Sequence, residues 1–281
     1  MNLSFIGDLT VDIYPKLKKI LLGGSSLTSA RWAKKLGAEC TILASVGNDE
    51  AGKRYQKFFK DNNFSLNTLI TLNAPTSNIE IFIDKNGEHT FGEWEPGAYA
   101  EYHLSKSDFA FLKTQDAVCL PVYFKTRHLL DEIIKINTTN DQKPLIAIDF
   151  DDLSQFGKNQ KIIEDHLPYI DIVKLGLDID IDRELIAEIK HLAVSTFSPN
   201  NPNPPNPPKL FLVTLNKNGS VVFCQGKEFW QKADNIKVKN TTGAGDAYIA
   251  GFLVEYLKSG DIKKSMKQGT NTATLAISKP V

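Results

Sequence analysis

The chain has 281 residues, of which 42% are hydrophobic and 23% charged, as is usual for a globular protein that buries one large core. Its 33 lysine and arginine residues balance 33 aspartate and glutamate residues, so its charge does not favour nucleic acid or an anionic membrane as a partner. The composition therefore predicts a single domain over residues 1–281 with small molecules as its ligands.

The cysteines and the first residues indicate the cellular compartment. Cys40, Cys119 and Cys224 lie far apart within apolar runs, which indicates reduced core thiols rather than disulfides or a metal site. The first residues include no basic segment and reach Asp8 too early for a signal peptide, and no later apolar run approaches membrane-spanning length. We therefore expect a cytoplasmic protein.

The first predicted strand covers residues 3–7, a short apolar run that ends in glycine. Asp8 and Asp12 follow it directly. Because open parallel sheets bind ligands at the carboxyl ends of their strands, both carboxylates are placed to accept hydrogen bonds from substrate hydroxyls. A solvated turn would explain the two residues equally well.

A ribbon and a helix follow this strand. Residues 10–22 alternate weakly around Pro15 and indicate a ribbon that leaves the sheet. Gly23 and Gly24 then begin a helix that Gly37 ends. The double glycine is a hinge, a point where a ligand approaches the backbone closely, or both.

Residues 41–46 are predicted as a second buried strand, and the loop GNDEAGK follows at 47–53. Its spacing approaches that of a phosphate-binding P-loop. However, Arg54 stands where a P-loop needs Ser or Thr to hold Mg²⁺, and Asp49 and Glu50 would repel phosphates. We therefore reject this loop as the nucleotide site.

The clearest hairpin signal lies at residues 77–94, where polar and apolar residues alternate on both sides of a turn at 85–88. Such a two-sided ribbon does not fit the interior of a wound sheet. Together with the earlier ribbon it predicts a small β lid, formed by about residues 10–22 and 76–100.

Three aromatic residues, Trp94, Tyr99 and Tyr102, follow in a polar context. They could line a ligand or pack the ribbon. Packing is the more frequent role of an aromatic side chain.

Predicted strands and helices alternate regularly from residue 116 onward. Strands are predicted at 117–120, 145–150, 170–175 and 210–215, and helices at 127–136, 161–167 and 182–192. This alternation indicates an α/β fold with a mostly parallel sheet covered by helices on both faces.

The last part of the chain departs from this alternation. The proline-rich stretch at 198–208 cannot be helix or inner strand and is predicted to be an exposed loop without a catalytic role. A turn at 216–219 leads into a strand at 221–224, so the sheet gains an antiparallel pair. Helices are predicted at 247–258 and 262–278.

The most informative stretch is NTTGAGD at residues 240–246. Gly243 and Gly245 allow a tight turn with free amide N–H groups, and the following helix adds the positive end of its dipole, which together suit anionic oxygens. Asp246 could accept the proton of an attacking hydroxyl while the amides stabilise charge on a phosphoryl group. The alternative is a strand-to-helix turn with Asp246 as a capping carboxylate.

Motifs of other enzyme classes are missing from the sequence. It contains no GxSxG, HExxH or CxxC, and its five histidines are dispersed, which argues against serine hydrolases and metallohydrolases. No GxGxxG follows the first strand, which argues against an NAD-dependent dehydrogenase. A non-catalytic ligand binder on the same scaffold stays open as the alternative to an enzyme that transfers a phosphoryl group.

Four motifs in order resemble those of the PfkB/ribokinase family of sugar kinases. They are GGSSLT at 23–28, VGNDEAG at 46–52, VTLNKNG at 213–219 and NTTGAGDAYIAGF at 240–252. The resemblance covers essentially the whole chain, and NTTGAGD is its most specific part. Within the family, IGDLTVDIYPKL and FGEWEPGA are most similar to fructoselysine 6-kinases and other fructosamine kinases.

This resemblance implies a ribokinase-like, three-layer α/β/α fold with a β lid, a sugar between lid and sheet, and ATP with Mg²⁺ along the carboxyl edge. It assigns Asp246 as the catalytic base. It assigns the anion hole to Gly243, Ala244 and Gly245. It assigns sugar contacts to Asp12, Gly23 and Gly24, with Asp8 nearby.

Two positions on the sugar and cation side depart from the family pattern. Thr28 replaces an Asn that touches the sugar, which shortens the reach and removes a donor, so substrate choice can differ. Asn240 replaces an Asp beside Thr242, in a loop that can hold a monovalent cation. An amide supplies no charge, which argues against activation by potassium.

The nucleotide side also departs from the pattern. The resemblance places Thr214 and Gly219 beside the nucleotide, with Asn216 in place of a turn glycine, a residue that tolerates the left-handed conformation. Gly176 occupies the position of the family's Asn in NxxE, and no Glu follows. Lys174 or Asp178 could compensate. The predicted nucleotide-binding residues are therefore Lys174, Thr214, Asn216, Gly219 and Thr242.

The sequence thus predicts ATP-dependent phosphorylation of a hydroxyl on a sugar or sugar derivative, either a fructosamine or a ketose. The lid would close over the sugar and exclude water while the anion hole holds the transferring group. Because strands with exposed apolar faces often pair between subunits, a homodimer through the lid is also expected.

Overall fold

Strands and helices alternate along most of the chain, as the sequence predicts. The computed structural model describes residues 1–84, 88–138, 143–196 and 209–278. Within these ranges the strands are β1 (Asn2–Ile6), β2 (Val11–Tyr14), β3 (Lys19–Leu22), β4 (Glu39–Gly47), β5 (Leu69–Leu72), β6 (Asn78–Ile83), β7 (His89–Glu95), β8 (Ala117–Pro121), β9 (Leu145–Asp149), β10 (Ile172–Gly176), β11 (Leu210–Thr214), β12 (Ser220–Cys224) and β13 (Lys227–Gln231). The α-helices are α1 (Ser25–Lys35), α2 (Glu50–Asp61), α3 (Lys106–Leu112), α4 (His128–Ile133), α5 (Lys161–His166), α6 (Arg183–Ser195), α7 (Ala244–Ser259) and α8 (Ile262–Ile277).

The central sheet is mostly parallel. In the described residues it has nine strands in the order β13-β12-β11-β10-β9-β8-β1-β4-β5. The pairs from β11 to β5 are parallel, whereas β12 and β13 add an antiparallel edge. The carboxyl ends of the parallel strands therefore meet along one edge of the sheet, where ligands bind in open α/β folds.

Helices cover both faces of this sheet and bury two separate cores. Consecutive strand residues such as Phe5 and Ile6 belong to opposite cores, because side chains alternate between the two faces of a strand. Helices α1, α2, α7 and α8 pack on one face, and α3, α4, α5 and α6 on the other. The predicted α/β/α architecture is confirmed.

The helix ends follow from local sequence. Asp49 caps α2 by accepting a hydrogen bond from the Gly52 N–H (2.8 Å), and Asp261 caps α8 through the Lys264 N–H (3.0 Å). Helix α7 begins instead after Gly243, whose φ of +76° is left-handed, and it has no side-chain cap. Apart from the Ala244 amide, which donates to the Thr241 carbonyl, its first-turn amides are thus left for another acceptor.

A second, small sheet stands apart from the central one. Its four described strands have the order β3-β2-β6-β7, in which only β2 and β6 run parallel. They lie within the two segments predicted to form a lid, and the small sheet is the predicted β lid of this fold. The hairpin turn at 85–88 lies mostly outside the described residues.

The element predictions are confirmed apart from three omissions and shifts of element ends, among them residues 50–53, which were expected in the loop before α2 and lie in this helix. Strands β5 and β13 and helix α3 were not expected from the sequence, since each is short and lacks a clear alternation. Helix α7 begins at Ala244 rather than at 247, so Gly245 and Asp246 lie in its first turn. The proline-rich stretch at 198–208 lies outside the described residues.

The cysteine prediction is confirmed, since Cys40, Cys119 and Cys224 are buried free thiols. Among the described helices, none is long and apolar enough to cross a bilayer.

Candidate active site

The carboxyl edge of the central sheet brings together charged residues from four elements. Asp8 follows β1, Asp149 ends β9, Lys174 lies in β10, and Asp246 lies in the first turn of α7. Asp246 interacts electrostatically with the other three, which places them in one cluster. The predicted base therefore lies at the sheet edge where this fold binds its ligands.

The chain enters α7 through a tight turn. The Ala244 N–H donates to the Thr241 carbonyl (3.1 Å), and the Ala247 N–H donates to the Gly243 carbonyl (3.0 Å). Amides in the first turn of a helix lack intrahelical acceptors, and the helix dipole makes this end positive. The turn at 243–245 therefore suits an anion, with the Ala244 amide partly engaged by the turn itself.

Asp246 is half-buried, and its carboxylate caps no backbone amide in the described structure, so the capping alternative is not supported. Burial raises its pKa to about 7; Lys174 opposes this shift, whereas Asp149 and Asp8 add to it. A carboxylate with a pKa near neutrality suits a general base. The Ser29 hydroxyl donates a hydrogen bond to the backbone carbonyl of Asp246 (3.2 Å).

Lys174 forms a buried ion pair with Asp149 just below this turn. Its Nζ lies 2.8 Å from Asp149 Oδ2, and Asp149 Oδ1 accepts the Asp151 N–H (3.0 Å). A Cβ on Gly245 would lie only 2.9 Å from Lys174 Nζ, so the missing side chain makes room for the ammonium. Sequence reasoning missed Asp149, although its place at the end of a predicted strand resembles that of Asp8.

Asp8 is engaged by the protein itself. Its carboxylate accepts hydrogen bonds from the Thr10 hydroxyl (2.5 Å), the Ser25 N–H (2.6 Å) and the Tyr123 hydroxyl (3.3 Å). Burial raises the pKa of Asp8, although these hydrogen bonds oppose the shift. Asp8 therefore fixes the start of α1 and Tyr123 as one wall of the site.

Asp12 has a different environment, because no protein donor within the described ranges binds its carboxylate. The side chain lies against Gly23, where a Cβ would be 2.2 Å from Oδ2, so only glycine leaves it room. Burial, followed by repulsion from Asp8 and Asp246, raises the pKa of Asp12 to about 7. Asp12 is thus available to hydrogen-bond a ligand.

The remaining predicted sugar residues connect the two sides of the site. Gly24 has a left-handed φ of +94°, and it lies against the backbone of Asp8. Thr28 lies in α1 with its methyl group facing Gly243. Helix α1 therefore runs from the sugar side to the turn before α7.

Hydrogen bonds join this wall to the small sheet. The Thr10 hydroxyl is 2.7 Å from Ser77 Oγ, which also accepts the Trp94 indole N–H (3.0 Å). The Trp94 ring packs on Tyr123, with centroids 5.1 Å apart. Tyr99 and Tyr102 are buried in the core, whereas Trp94 packs against the wall of the site.

The small sheet also reaches the loop before α7. His89 of β7 has its Nδ1 2.7 Å from the Thr241 hydroxyl. Tyr14 of β2 interacts with Asn240 and Thr242, and the Asn240 side chain accepts the Thr242 N–H (3.0 Å). The structure thus places two strands of the lid against the NTTGAGD stretch.

The predicted nucleotide residues fall into two groups. Lys174 and Thr242 lie near the start of α7, whereas the other three lie at the carboxyl end of β11 and in the turn that follows. Thr214 pairs with Gly176 in the sheet, Asn216 adopts the expected left-handed φ of +51°, and Gly219 has a φ of +95°. The turn is therefore shaped as predicted from the sequence.

The Asp178 carboxylate accepts hydrogen bonds from within its own loop. Hydrogen bonds from the N–H groups of Asp180 and Ile181 lower its pKa. Of the two residues that could compensate for the missing NxxE, Lys174 alone faces the start of α7.

The P-loop-like segment at 47–53 has a structural role. Asp49 caps α2 and also accepts hydrogen bonds from the Thr76 N–H (2.7 Å) and hydroxyl (2.6 Å). Partial burial acts against the charged form, but these hydrogen bonds outweigh it and lower the pKa of Asp49. The Asp49 carboxylate therefore connects the start of α2 to Thr76, just before β6 of the small sheet. This structural role is consistent with our rejection of the loop as a nucleotide site.

The described residues contain no group of three or more His, Cys, Asp or Glu side chains that could hold a metal ion. Mg²⁺ in phosphoryl-transfer sites typically uses one or two carboxylates, substrate phosphates and water. The donor set therefore fits an ion that arrives on a nucleotide better than a resident metal.

Comparison with known proteins identifies the family of the chain. The family profile described as pfkB family carbohydrate kinase matches residues 16–280. Fructoselysine 6-kinase from Shigella flexneri is 26% identical over 277 residues, with 98% of this chain and 97% of that protein covered.

Solved structures show the same fold. Adenosine kinase from Sinorhizobium meliloti matches with a TM-score of 0.81 at 20% identity, covering 99% of this chain and 94% of that chain. Ribokinase from Thermotoga maritima matches with a TM-score of 0.70 at 20% identity, covering 99% and 93%. The ribokinase-like fold is thereby established.

Proposed function

The chain belongs to the pfkB family of carbohydrate kinases and is an ATP-dependent sugar kinase, and we propose that it phosphorylates a hydroxyl of a fructosamine or ketose with Asp246 as the base. The observation that carries the proposal is the half-buried Asp246 carboxylate, with a pKa of about 7, at the positive end of α7. No backbone group within the described residues competes for it.

The proposed reaction is an in-line transfer. The sugar hydroxyl oxygen attacks the γ-phosphorus of ATP and its proton passes to Asp246, while the bond from phosphorus to the leaving oxygen breaks and ADP departs. The turn at Gly243, Ala244 and Gly245 stabilises the charge that develops on the phosphoryl oxygens. The protein mainly positions the reactants and supplies electrostatic stabilisation.

On the sugar side, we assign Asp12 as the carboxylate that binds sugar hydroxyls, because no donor among the described residues engages it. Asp8 supports it by fixing the wall of the site. Gly23 and Gly24 give the sugar and Asp12 their space, and Thr28 contributes to specificity between α1 and the turn before α7.

On the nucleotide side, Thr214, Asn216 and Gly219 would border the nucleotide, and Lys174 and Thr242 would lie near its terminal phosphates. We propose that an Mg²⁺ ion would be held mainly by the phosphates of ATP and by water, and that when bound it would neutralise phosphate charge. Asn240 supplies no negative charge, so we expect no activation by potassium.

The acceptor is the open part of the proposal. Similarity to fructoselysine 6-kinase favours a fructosamine, and Thr28 favours an acceptor that does not need an amide donor at this position. The test is a coupled assay of ADP release with fructosamines, fructose, ribose and nucleosides as acceptors. Release with a fructosamine at the highest kcat/KM would support the proposal.

The same assay can contradict the proposal in two ways. A preference for ribose or a nucleoside would overturn the acceptor class. No ADP release with any acceptor, despite measurable ATP binding, would favour a non-catalytic sugar or nucleotide binder on the same scaffold.

We also propose a homodimer through the small sheet. Ile20 and Phe91, from two of its strands, are 53% and 55% exposed. Exposed apolar strand residues favour association with a second copy. Light scattering should give twice the mass of one chain, and Ile20→Lys should shift the protein towards monomer; a monomeric wild-type protein at working concentration would contradict the dimer.

The buried free thiols fit a reducing compartment, and we propose that the protein acts in the cytoplasm.

A further inference from the structure

A buried lysine beneath the start of α7 needs an explanation beyond folding. Lys174 is 4% exposed and Asp149 is 7% exposed, and their side chains are 2.8 Å apart. Replacing a buried ion pair by apolar residues of similar volume is often neutral or stabilising. Stability alone therefore does not account for a charge in the strand sequence Ile172–Gly176.

The position of the ammonium is set by the sheet. Lys174 and Asp149 are register partners on neighbouring parallel strands, on the face that packs against α7. The Lys174 Nζ would be 2.9 Å from a Cβ on Gly245, which places it directly against the backbone of the predicted anion hole. The positive charge therefore forms the floor of that hole.

The surrounding charges keep this lysine protonated. Burial acts against the ammonium, but Asp149, Asp151 and Asp246 outweigh it and raise the pKa of Lys174. Lys174 thus carries a fixed positive charge at neutral pH and takes no part in proton transfer.

We propose that Lys174 is a catalytic residue that contacts the transferring phosphoryl group, and that Asp149 is a positioning residue that holds the ammonium beneath Gly245. This inference rests on the proposed function. Lys174 forms and breaks no covalent bond; the hydroxyl proton still passes to Asp246, and ADP still leaves. The attraction between the Lys174 ammonium and the phosphoryl oxygens becomes stronger as negative charge shifts among these oxygens during the transfer.

The pair also sets the charge state of the base. The Asp246 carboxylate interacts with Lys174 of β10, with Asp149 of β9, and with Asp8 and Ser25 in the wall of the site. Asp12 of β2 also interacts with it electrostatically. Lys174 lowers the pKa of Asp246, whereas Asp149 raises it. Removing Lys174 and removing Asp149 should therefore shift the acidic limb of the pH profile of kcat/KM in opposite directions.

The experiment compares Lys174→Met and Asp149→Asn with the wild-type enzyme. We measure kcat, the KM for ATP and the pH dependence of kcat/KM with the best acceptor. Lys174→Met should lower kcat by about 10²- to 10³-fold, as does loss of one group that stabilises the transferring charge. Its acidic limb should move to higher pH, and that of Asp149→Asn to lower pH.

The chain offers a matched control in a second buried pair. Lys209 lies 3.7 Å from Asp171, and both side chains are buried, but they precede β11 and β10 at the amino edge of the sheet. Lys209→Met should lower the melting temperature without changing kcat or the limb. If Lys174→Met behaved in the same way, its role would be structural and the proposal would be overturned.

A variant that fails to fold would not end the test. The double variant Lys174→Met with Asp149→Leu removes both charges and leaves no unpaired ion. It should fold and remain slow; wild-type turnover in this variant would overturn the proposal. If the wild-type enzyme is active and Lys174→Met has the same kcat, this inference alone is contradicted. If the wild-type protein phosphorylates no acceptor, the proposed function is contradicted.

Discussion

The two buried lysine–aspartate pairs lie at opposite edges of one sheet and have different surroundings. Lys174 and Asp149 lie under the N-terminus of α7 with Asp246 nearby, and together these carboxylates raise the pKa of Lys174. Lys209 meets Asp171 at a longer distance, and burial outweighs this partner, so its pKa is lowered.

The surroundings explain why we propose a catalytic role for only one pair. Asp171 also accepts the Ile146 N–H (2.8 Å), and its backbone bonds Ile146 and Leu210, so the amino-edge pair ties neighbouring strands together. The carboxyl-edge pair lies beside a helix turn with free amides. The same residue types therefore tie strands together at the amino edge, whereas at the carboxyl edge they lie where we propose that an anion binds.

The largest expected effect at the carboxyl edge is that of Asp246→Asn. Loss of a positioned base should lower turnover by about 10²- to 10⁴-fold while sugar binding is largely retained. Steady-state kinetics and sugar binding followed by Trp94 fluorescence measure the two separately. As the control, Asp61→Asn removes an exposed carboxylate of α2 and should not change turnover.

An Asp246→Asn enzyme with full turnover would remove Asp246 from the role of base.

At the amino edge, Asp171→Asn should act on stability instead. It leaves Lys209 buried without its ionic partner, which should lower the free energy of unfolding by about 3 kcal/mol. Urea unfolding measures this change, and kcat of the folded fraction should equal that of the wild-type enzyme. A large loss of kcat in this variant would mean that the two edges are not functionally distinct.

The sugar side should show a smaller effect, on binding. Asp12→Asn keeps the shape of the side chain but removes the charge, so it should weaken sugar binding by roughly 10-fold, or about 1.4 kcal/mol. The KM for the sugar should rise while the KM for ATP stays constant. A selective change in the KM for ATP would place Asp12 on the nucleotide side.

The smallest effect is expected at the base of the small sheet. Asp49→Ala removes the cap of α2 and should lower the free energy of unfolding by about 1 kcal/mol. Because the folded pKa of Asp49 is lowered, its contribution is present above the unfolded value and is lost as the pH falls through the folded value. Unfolding at pH 7 and at acidic pH should therefore show a larger destabilisation at pH 7.

An equal destabilisation by Asp49→Ala at both pH values would show that the carboxylate charge does not hold the small sheet.

Patterns within short stretches of sequence predicted much of this molecule. Apolar runs and glycines located most of the central strands, and NTTGAGD indicated a helix whose first turn carries Asp246. These features depend on local backbone conformation and periodicity, which neighbouring residues largely determine. Short elements such as β5 and α3 lacked enough periodicity to be recognised.

Contacts between distant segments could not be predicted in this way. His89 meets Thr241 although 152 positions separate them, and Asp8 meets Tyr123 across 115 positions. The sequence drew attention to both Asp8 and Asp12 as sugar ligands, but only the structure distinguishes Asp8, whose carboxylate accepts three hydrogen bonds from the protein, from Asp12, whose carboxylate accepts none from the described residues.

The sequence by itself determined the alternation of strands and helices, the helix that carries the base and the family to which the chain belongs, because each is written in neighbouring residues. Only the tertiary structure decided which charges meet. The register of β9 and β10 brings Asp149 to Lys174, and the packing of α7 places the Lys174 ammonium below Gly245. Charge interactions depend on distance and burial, and these are properties of the folded chain.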